Sequence, residues 1–561
     1  MDEYLNRLMD RLFMWVLSRG KSFWIRAVLL LSSIGMFAFF PVVQAGGGGG
    51  LAGRHWYVEH ISAMPDWALP ASFLILLGVY GLIIFELIDR ALAAVVGGIV
   101  AVFTLHIIAA GDPNTTGPDL LDVVVWIDME TVGLLMGMMI IVGVLSETGI
   151  FQWAAVEAYA RSGGSIWRLM VILAVVTAVF SAFLDNVTTM LLIAPVTIQL
   201  AKVLNLNPIP LLVGEVMFSN IGGTATQIGD PPNIIIGAQL SRTSLAGTPL
   251  AEESIAFIDF VINLAPAVFL VFLPSLWLLH RLEREGLDLH RDRDIESLRE
   301  TYGVKDKSLL IKSGIILSLV LIAFFAHSAV AHPLSNVAVI SLIGAFVMLL
   351  VCTPHEIEHY LDEVEWTTLL FFAGLFILIG GLSAMGLIDA LAEWTSSMIA
   401  RAPEDHRLFV ALMLLLWVSA IASAFIDNIP FTATMVPVML EIAQDVDLDL
   451  PLGPLAWALA LGACLGGNGT LIGASANVAT AGIASGAGHN ITFMRFFKTG
   501  FPIMIVSVIL ASVYLYIMFV MWQIHETPSA IPYIVIGIGV LGMVMIGRIW
   551  GPSDITIVEE E

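Results

Sequence analysis

Charge is what this sequence has least of. Asp, Glu, Lys and Arg make up 13% of its 561 residues against 58% hydrophobic ones, and the mean hydropathy is +0.91. A soluble domain of that size needs far more polar surface, so the composition excludes one and implies a polytopic membrane protein. Basic residues are scarcer still, 24 Lys and Arg against 47 acids, for a net charge of -23. The acids collect in loops and in the tail Val558-Glu-Glu-Glu561, which speaks against a nucleic-acid partner. Only two cysteines occur, Cys352 and Cys464, far apart in apolar surroundings; this removes a disulfide framework and any CxxC pair.

What is abundant is apolar sequence in runs. Arg7, Arg11, Arg19, Lys21 and Arg26 precede the first, from about Ala27 to Val43, which ends ahead of five glycines. The long basic stretch favours a retained signal anchor over a cleaved signal peptide. Gly46 to Gly50 reads as a flexible linker, because no strand precedes it and no Lys follows. Spans are expected near 67–88, 90–110 and 131–149, each close to the ~20 residues that cross hydrocarbon as a helix. The run 167–203 is too long for one span, and Asp185-Asn186 divides it into the two arms of a re-entrant helical hairpin. A second long run, 211–240, is broken by Gly222-Gly-Thr-Ala-Thr-Gln-Ile-Gly-Asp-Pro-Pro-Asn233, and a span follows near 257–279.

After a charged stretch the plan restarts. Spans are expected near 309–331, 335–352 and 367–386, then a hairpin near 408–442, a broken run near 454–486, a span near 499–522 and an unmatched one near 530–547. The resulting division is 1–66 (anchor or signal peptide and linker), 67–283 (first repeat), 284–308 (charged cytoplasmic linker), 309–525 (second repeat) and 526–561 (extra span and tail). Ser181-Ala-Phe-Leu-Asp-Asn186 returns as Ser423-Ala-Phe-Ile-Asp-Asn428, each with a proline nine positions on, Pro195 and Pro437. Asp128 to Phe151 matches Glu365 to Ile388 without a gap, pairing Gly137 with Gly374 and Gly149 with Gly386. The broken runs pair Gly222-Gly223 with Gly466-Gly467 and Asn233 with Asn477, and three blocks in one order indicate internal duplication. With five full spans and one hairpin per unit, the second unit enters from the opposite face. The expected fold is all-α and polytopic, with two inverted-topology repeats of five spans and one re-entrant hairpin each. Broken helices in such repeats point to a secondary transporter's binding site. The positive-inside rule puts the linker from Arg281 to Lys312 in the cytoplasm, with Arg242, Arg401 and Arg407 as exceptions.

The polar insertions are the candidate site. A carboxylate at the bilayer centre costs roughly 2.5 to 3.5 kcal/mol, so intramembrane acids normally face a cavity and mark an ion or proton path. Asp185 and Asp427 could instead cap their second arms, a role worth about 0.5 to 2 kcal/mol, and one side chain can do both. Gly222, Gly223, Gly466 and Gly467 are expected to permit unwound backbone, and Pro231-Pro232 to keep Asp230 out of a continuous helix. Carbonyls exposed there, with Asp185, Asn186, Thr188 and Thr226, offer hard oxygen ligands for a small cation. The helix N-termini would suit an anion. Asp230 faces Ala474 in the alignment of the halves and Glu215 faces Leu459, which makes Glu215 a candidate coupling acid and the halves unequal. His355-Glu-Ile-Glu-His359 satisfies HExxH, but in a short acidic loop it reads as an accidental match to a zinc-peptidase motif.

Ser181–Leu192, Ile221–Asn233, Asp427–Met435 and Leu461–Asn477 together resemble the P-protein group of the ion transporter superfamily. That superfamily also holds arsenite-efflux permeases, D-type sodium/proton antiporters, and citrate and dicarboxylate carriers. The resemblance covers about residues 70–525. It implies a scaffold and a transport domain, elevator-like motion, a homodimer, and sodium or proton coupling. Carried over by residue, the implied site is Asp185, Asn186, Asp427 and Asn428 at the tips, with Thr226, Asn233, Thr470 and Asn477 in the broken helices. The dicarboxylate branch has Ser-Asn-Thr where this chain has Asp-Asn, which weakens citrate or succinate as substrate. The expectation is a secondary active ion transporter and no enzyme, with sodium/proton exchange ahead of carriage of arsenite, chloride or a carboxylate, and a passive channel last. Beyond a coupling Na+ no cofactor is expected. The expected partners are a small ion and the bilayer, and the expected location is the inner membrane of a prokaryote.

Overall fold

The computed structural model describes residues 64–523, apart from 86, 112–115, 243, 246–247, 292–302 and 327–335. The N-terminal segment, the span expected near 530–547 and part of the charged linker lie outside the described residues. Within them every long element is an α-helix, and nine helices are long and apolar enough to cross a membrane. The first half contains α1 (Ala68–Ile84), α2 (Arg90–Ala110), α3 (Met129–Glu147), α4 (Ile150–Ser162), α5 (Ile166–Phe183), α6 (Asn186–Val203), α7 (Ile209–Gly223), α8 (Pro231–Gln239) and α9 (Phe257–Leu282). The second half repeats the order with α10 (Lys307–Ala326), α11 (Val337–Cys352), α12 (Trp366–Ala384), α13 (Leu387–Ala400), α14 (Arg407–Phe425), α15 (Asn428–Gln444), α16 (Leu452–Gly466), α17 (Ser475–Gly486) and α18 (Phe493–Leu515).

The helix boundaries follow local chemistry. Asp89, Asp128, Ser165 and Thr492 each accept a backbone N–H of the first turn they precede. Gly149 and Gly386, paired by the internal match, both adopt positive φ (79° and 82°) where α3 gives way to α4 and α12 to α13. These two connecting helices, α4 and α13, are absent from the expected spans. They are too short to cross and carry Glu157, Arg161, Asp389 and Glu393.

The chain forms two compact units. The smaller comprises the described residues up to Ile127 together with Leu370–Thr395. In it α2 lies against α12 through small residues: a Cβ on Gly374 would come 2.7 Å from the Val95 backbone nitrogen, and one on Gly381 2.8 Å from Ala101 Cβ. Small residues let helix backbones approach closely where lipid offers no hydrophobic drive to associate. Arg90 lies over the Phe371 ring, 5.5 Å from its centroid.

The larger unit comprises the described residues of Asp128–Leu369 and those from Ser396 onward. Here α3 meets α11 in the same manner, a Cβ on Gly137 falling 2.7 Å from the Ser341 carbonyl carbon. Gly137 and Gly374 thus do one job, each admitting a helix from the other half of the sequence. At the centre α7 and α16 are almost wholly buried, with α5 along α7 and α14 along α16. Helices α9 and α18 pack together, and Tyr514 donates its hydroxyl to the Asn263 carbonyl (2.6 Å). Buried Glu283, just past α9, accepts two N–H groups of the Arg495 guanidinium and the hydroxyl of Thr499.

Removing one member of a buried ion pair strands the other, at a cost of several kcal/mol. Glu283→Ala is therefore expected to destabilise the fold by roughly 3 kcal/mol, the lower end for such pairs because Arg495 stays partly exposed. Thermal unfolding of the detergent-solubilised protein measures this, with Glu283→Gln expected to lose less.

Candidate ion-binding site

The two tips are built alike from the backbone up. Leu184 and Asp185 are extended between α5 and α6, as Ile426 and Asp427 are between α14 and α15. Each aspartate is half-buried and caps the helix that follows. Asp185 accepts the Thr188 N–H on Oδ1 (2.9 Å) and the Thr188 hydroxyl on Oδ2 (2.5 Å). Asp427 accepts the Ile429 N–H (3.0 Å), but the position of Thr188 is taken there by Pro430, which has neither N–H nor hydroxyl. Its Oδ2 instead takes the hydroxyl of Ser475 (2.6 Å), at the head of α17. Ser475 corresponds to Pro231 in the first half, so the halves exchange a hydroxyl for a proline at two positions in opposite senses.

The irregular stretches fasten to these tips. Thr226 donates its hydroxyl to the Ala182 carbonyl and Thr470 to the Ala424 carbonyl, each three residues ahead of a tip aspartate. Asn233 donates its amide hydrogens to the carbonyls of Thr224 (3.1 Å) and Thr226 (2.9 Å). Asn477 does the same to Gly467 (2.8 Å) and Thr470 (2.9 Å). The glycines act differently from expectation. Gly222, Gly223 and Gly466 are still helical, ending α7 and α16, and the backbone leaves the helix only afterwards. Their hydrogen side admits the neighbouring arm: a Cβ on Gly222 would fall 2.3 Å from the Ala178 carbonyl oxygen, and one on Gly466 2.5 Å from that of Ala420. Close approach, not unwinding, is what these positions require.

Sequence reasoning missed Asn220 and Asn468. Asn220 accepts an amide hydrogen of Asn186 (2.9 Å) and donates to the amide oxygens of Asn468 (2.9 Å) and Asn477 (3.0 Å). An asparagine inside apolar α7, two residues before Gly222, is the signal that would have found it. Asn428 donates to Asp230 Oδ1 (3.2 Å), so the acid of the first half serves the tip of the second. Cys464, at the place corresponding to Asn220, lies against Asn233 Oδ1 (3.5 Å) and adjoins the Asp230 carboxyl. Glu215 is not part of this network. It accepts the Thr197 hydroxyl (2.7 Å) within the contact of α6 with α7.

The electrostatics of the site are one-sided. Asp230 and Asn186 are buried, yet Asp230 Oδ2 and Asn186 Oδ1 have no hydrogen-bond partner; Glu215 Oε2 is in the same state. Asp427 and Asp185 are the charged neighbours of Asp230. Among the described residues no Lys, Arg or His is buried. Unpaired buried oxygens beside carboxylates suit a hard cation such as sodium. The HExxH pattern does not assemble. Its short helix begins at Ile357, after His355, and His359 instead lies between Glu147 (3.5 Å) and Glu363 (3.6 Å). Burial, with the Glu147 charge nearby, raises the Glu363 carboxyl above its ordinary pKa against the opposing effect of His359.

A family model described as a citrate transporter matches residues 80–462. The chain belongs to the citrate transporter family. It is 42% identical over 514 residues to the P protein of Sus scrofa, covering 82% of this chain and 60% of that one. It is 41% identical over 443 residues to a 46 kDa membrane protein of Mycobacterium leprae, covering 78% and 96%. The chain thus spans about 60% of the length of the P proteins. Its fold is similar to that of the YdaH transporter of Alcanivorax borkumensis, with a TM-score of 0.54 at 14% identity over 78% of this chain and 100% of that one. The described residues are those of a multi-pass membrane protein, in a family described as transporters.

Gly222→Ala and Gly466→Ala each force a Cβ into a neighbouring backbone and are expected to destabilise by about 1–3 kcal/mol or more. Gly314→Ala in α10, where a Cβ meets nothing within 4 Å, should be neutral or stabilising by up to ~1 kcal/mol. Melting temperatures of the three variants compare them directly.

Proposed function

We propose that this transporter carries a small cation, sodium in exchange for protons, through the network at the helix breaks. The observation that carries the reading is the sign of the buried groups: Asp230 Oδ2 and Asn186 Oδ1 are unpartnered acceptors, with no buried basic side chain among the described residues to answer them. In this reading Asp185, Asn186 and Thr188 form one half-site, with Thr226 and Asn233 holding its backbone. Asp427, Asn428 and Asp230 form the other, with Thr470 and Asn477 in the supporting role. Sodium would supply positive charge among oxygens that otherwise repel, while the chain's part is to orient those oxygens and exclude water. Glu215, buried with one oxygen unpaired, is suited to hold a proton apart from the tips.

The two repeats are read as inverted, each with five crossings and a re-entrant hairpin, so that the tips open to opposite faces. An elevator-type motion in a homodimer, in the inner membrane of a prokaryote, belongs to the same proposal, as does the division into two repeats joined by a cytoplasmic linker. The second reading is carriage of an anion such as citrate, favoured by the family's description. Against it, α8 begins Pro231-Pro232, two residues without N–H, and Asp230 stands directly before them.

Proteoliposomes on a solid-supported membrane, challenged with sodium, lithium, chloride, arsenite and citrate across a pH range, decide between these. Sodium-evoked currents that respond to a proton gradient are expected, and uphill sodium movement separates a carrier from a channel. Asp230→Asn and Asp427→Asn should each raise the half-saturating sodium concentration at least about tenfold, a loss near 1.4 kcal/mol. Citrate currents without sodium currents, or variants with native sodium dependence, would overturn the cation reading.

A further inference from the structure

We propose that Asn220 is a positioning residue that couples the two tips, so that occupancy of one is felt at the other. This rests on the cation reading above and adds the element that joins its half-sites.

The orientation of each amide in the chain is forced by the next. Asn477 commits its amide hydrogens to the Gly467 and Thr470 carbonyls, so its oxygen is what faces Asn220. Asn468, whose nitrogen donates to the Met217 carbonyl (3.3 Å), likewise turns its oxygen toward Asn220. Asn220 must answer both with its nitrogen, which leaves its own oxygen for the nitrogen of Asn186. Asn186 is then left with a buried oxygen that nothing in the protein satisfies. Backbone carbonyls of both halves, Met217 in the first and Gly467 and Thr470 in the second, therefore select which atom the first tip presents to an ion.

The connection continues to the other tip. The Thr470 carbonyl receives Asn477, and the Thr470 hydroxyl holds the Ala424 carbonyl just ahead of Asp427. Every group from Asn186 to Ala424 is neutral, and apart from the Asn186 oxygen each is paired, so this chain carries no charge of its own. The return connection differs: Asn428 reaches the first half through the carboxylate of Asp230. Turning the first-tip amide to hold an ion must pull on Asn220, and through it on the stretch that anchors the second tip. Coupling free energies between sites commonly correspond to factors of about 5–150.

Hydrogen exchange of the full detergent-solubilised chain, titrated with sodium, follows residues 184–190 and 426–432 separately. In the native background, Asp185→Asn is expected to shift the sodium midpoint at the second tip as well as the first, by at least about fivefold. In an Asn220→Asp background, which keeps the size of the side chain but removes its donor, the second tip should no longer respond to Asp185→Asn. Should that variant fail to fold, Asn477→Ala severs the same link from the other side. A merely structural role would lower the melting temperature yet leave the second tip's response unchanged, and that result overturns the proposal. So does a second tip indifferent to Asp185→Asn in the native background, which leaves the cation reading intact. Absence of any sodium protection at either tip sinks the cation reading, and the coupling with it.

Discussion

Backbone that leaves the helix inside a membrane must find its hydrogen-bond partners within the protein, and the core of the larger unit is arranged around that requirement. Four interruptions occur there: two tips and two irregular stretches. Each stretch is stitched to a tip by a threonine hydroxyl and folded on itself by an asparagine amide. Side chains that look from their composition like free ligands are largely committed to holding the backbone that surrounds the site. What stays uncommitted is a small set of oxygens, and that remainder gives the site its chemical sign.

The same requirement is met differently in the two halves. A proline at the third position of α15 removes the donors that Thr188 supplies in α6, and Ser475 makes up the loss from across the site. Asp230 heads α8 where Ala474 heads α17, and its carboxylate is used by the opposite tip. The halves differ where a residue reaches its partner across the site, while the threonine and asparagine stitches that hold irregular backbone recur in both.

Much of this was legible beforehand, because the signals were local. Hydrophobic runs of span length located the long helices, and acids in apolar sequence located the tips. The repeated glycines, threonines and asparagines located the breaks. Connecting helices α4 and α13 were not legible, since short helices of mixed polarity carry neither a span's hydropathy nor a loop's composition. Gly222 and Gly466 were noticed for the wrong property: a glycine's freedom of φ can be argued from sequence, but the nearness of another backbone cannot. Asn220 escaped because its meaning lies in partners 34, 248 and 257 residues away. No periodicity records such distances.

The exchange of partners between halves also bears on whether either half could stand in for the other. Two copies of the first half brought together would set an Asp230 against each tip and crowd four carboxylates into one interior. Two copies of the second would have neither Asp230 nor Asn220, with alanine and cysteine at those places. Each half therefore draws from the other a partner that its own sequence does not supply. In this chain the two are complements, not interchangeable twins.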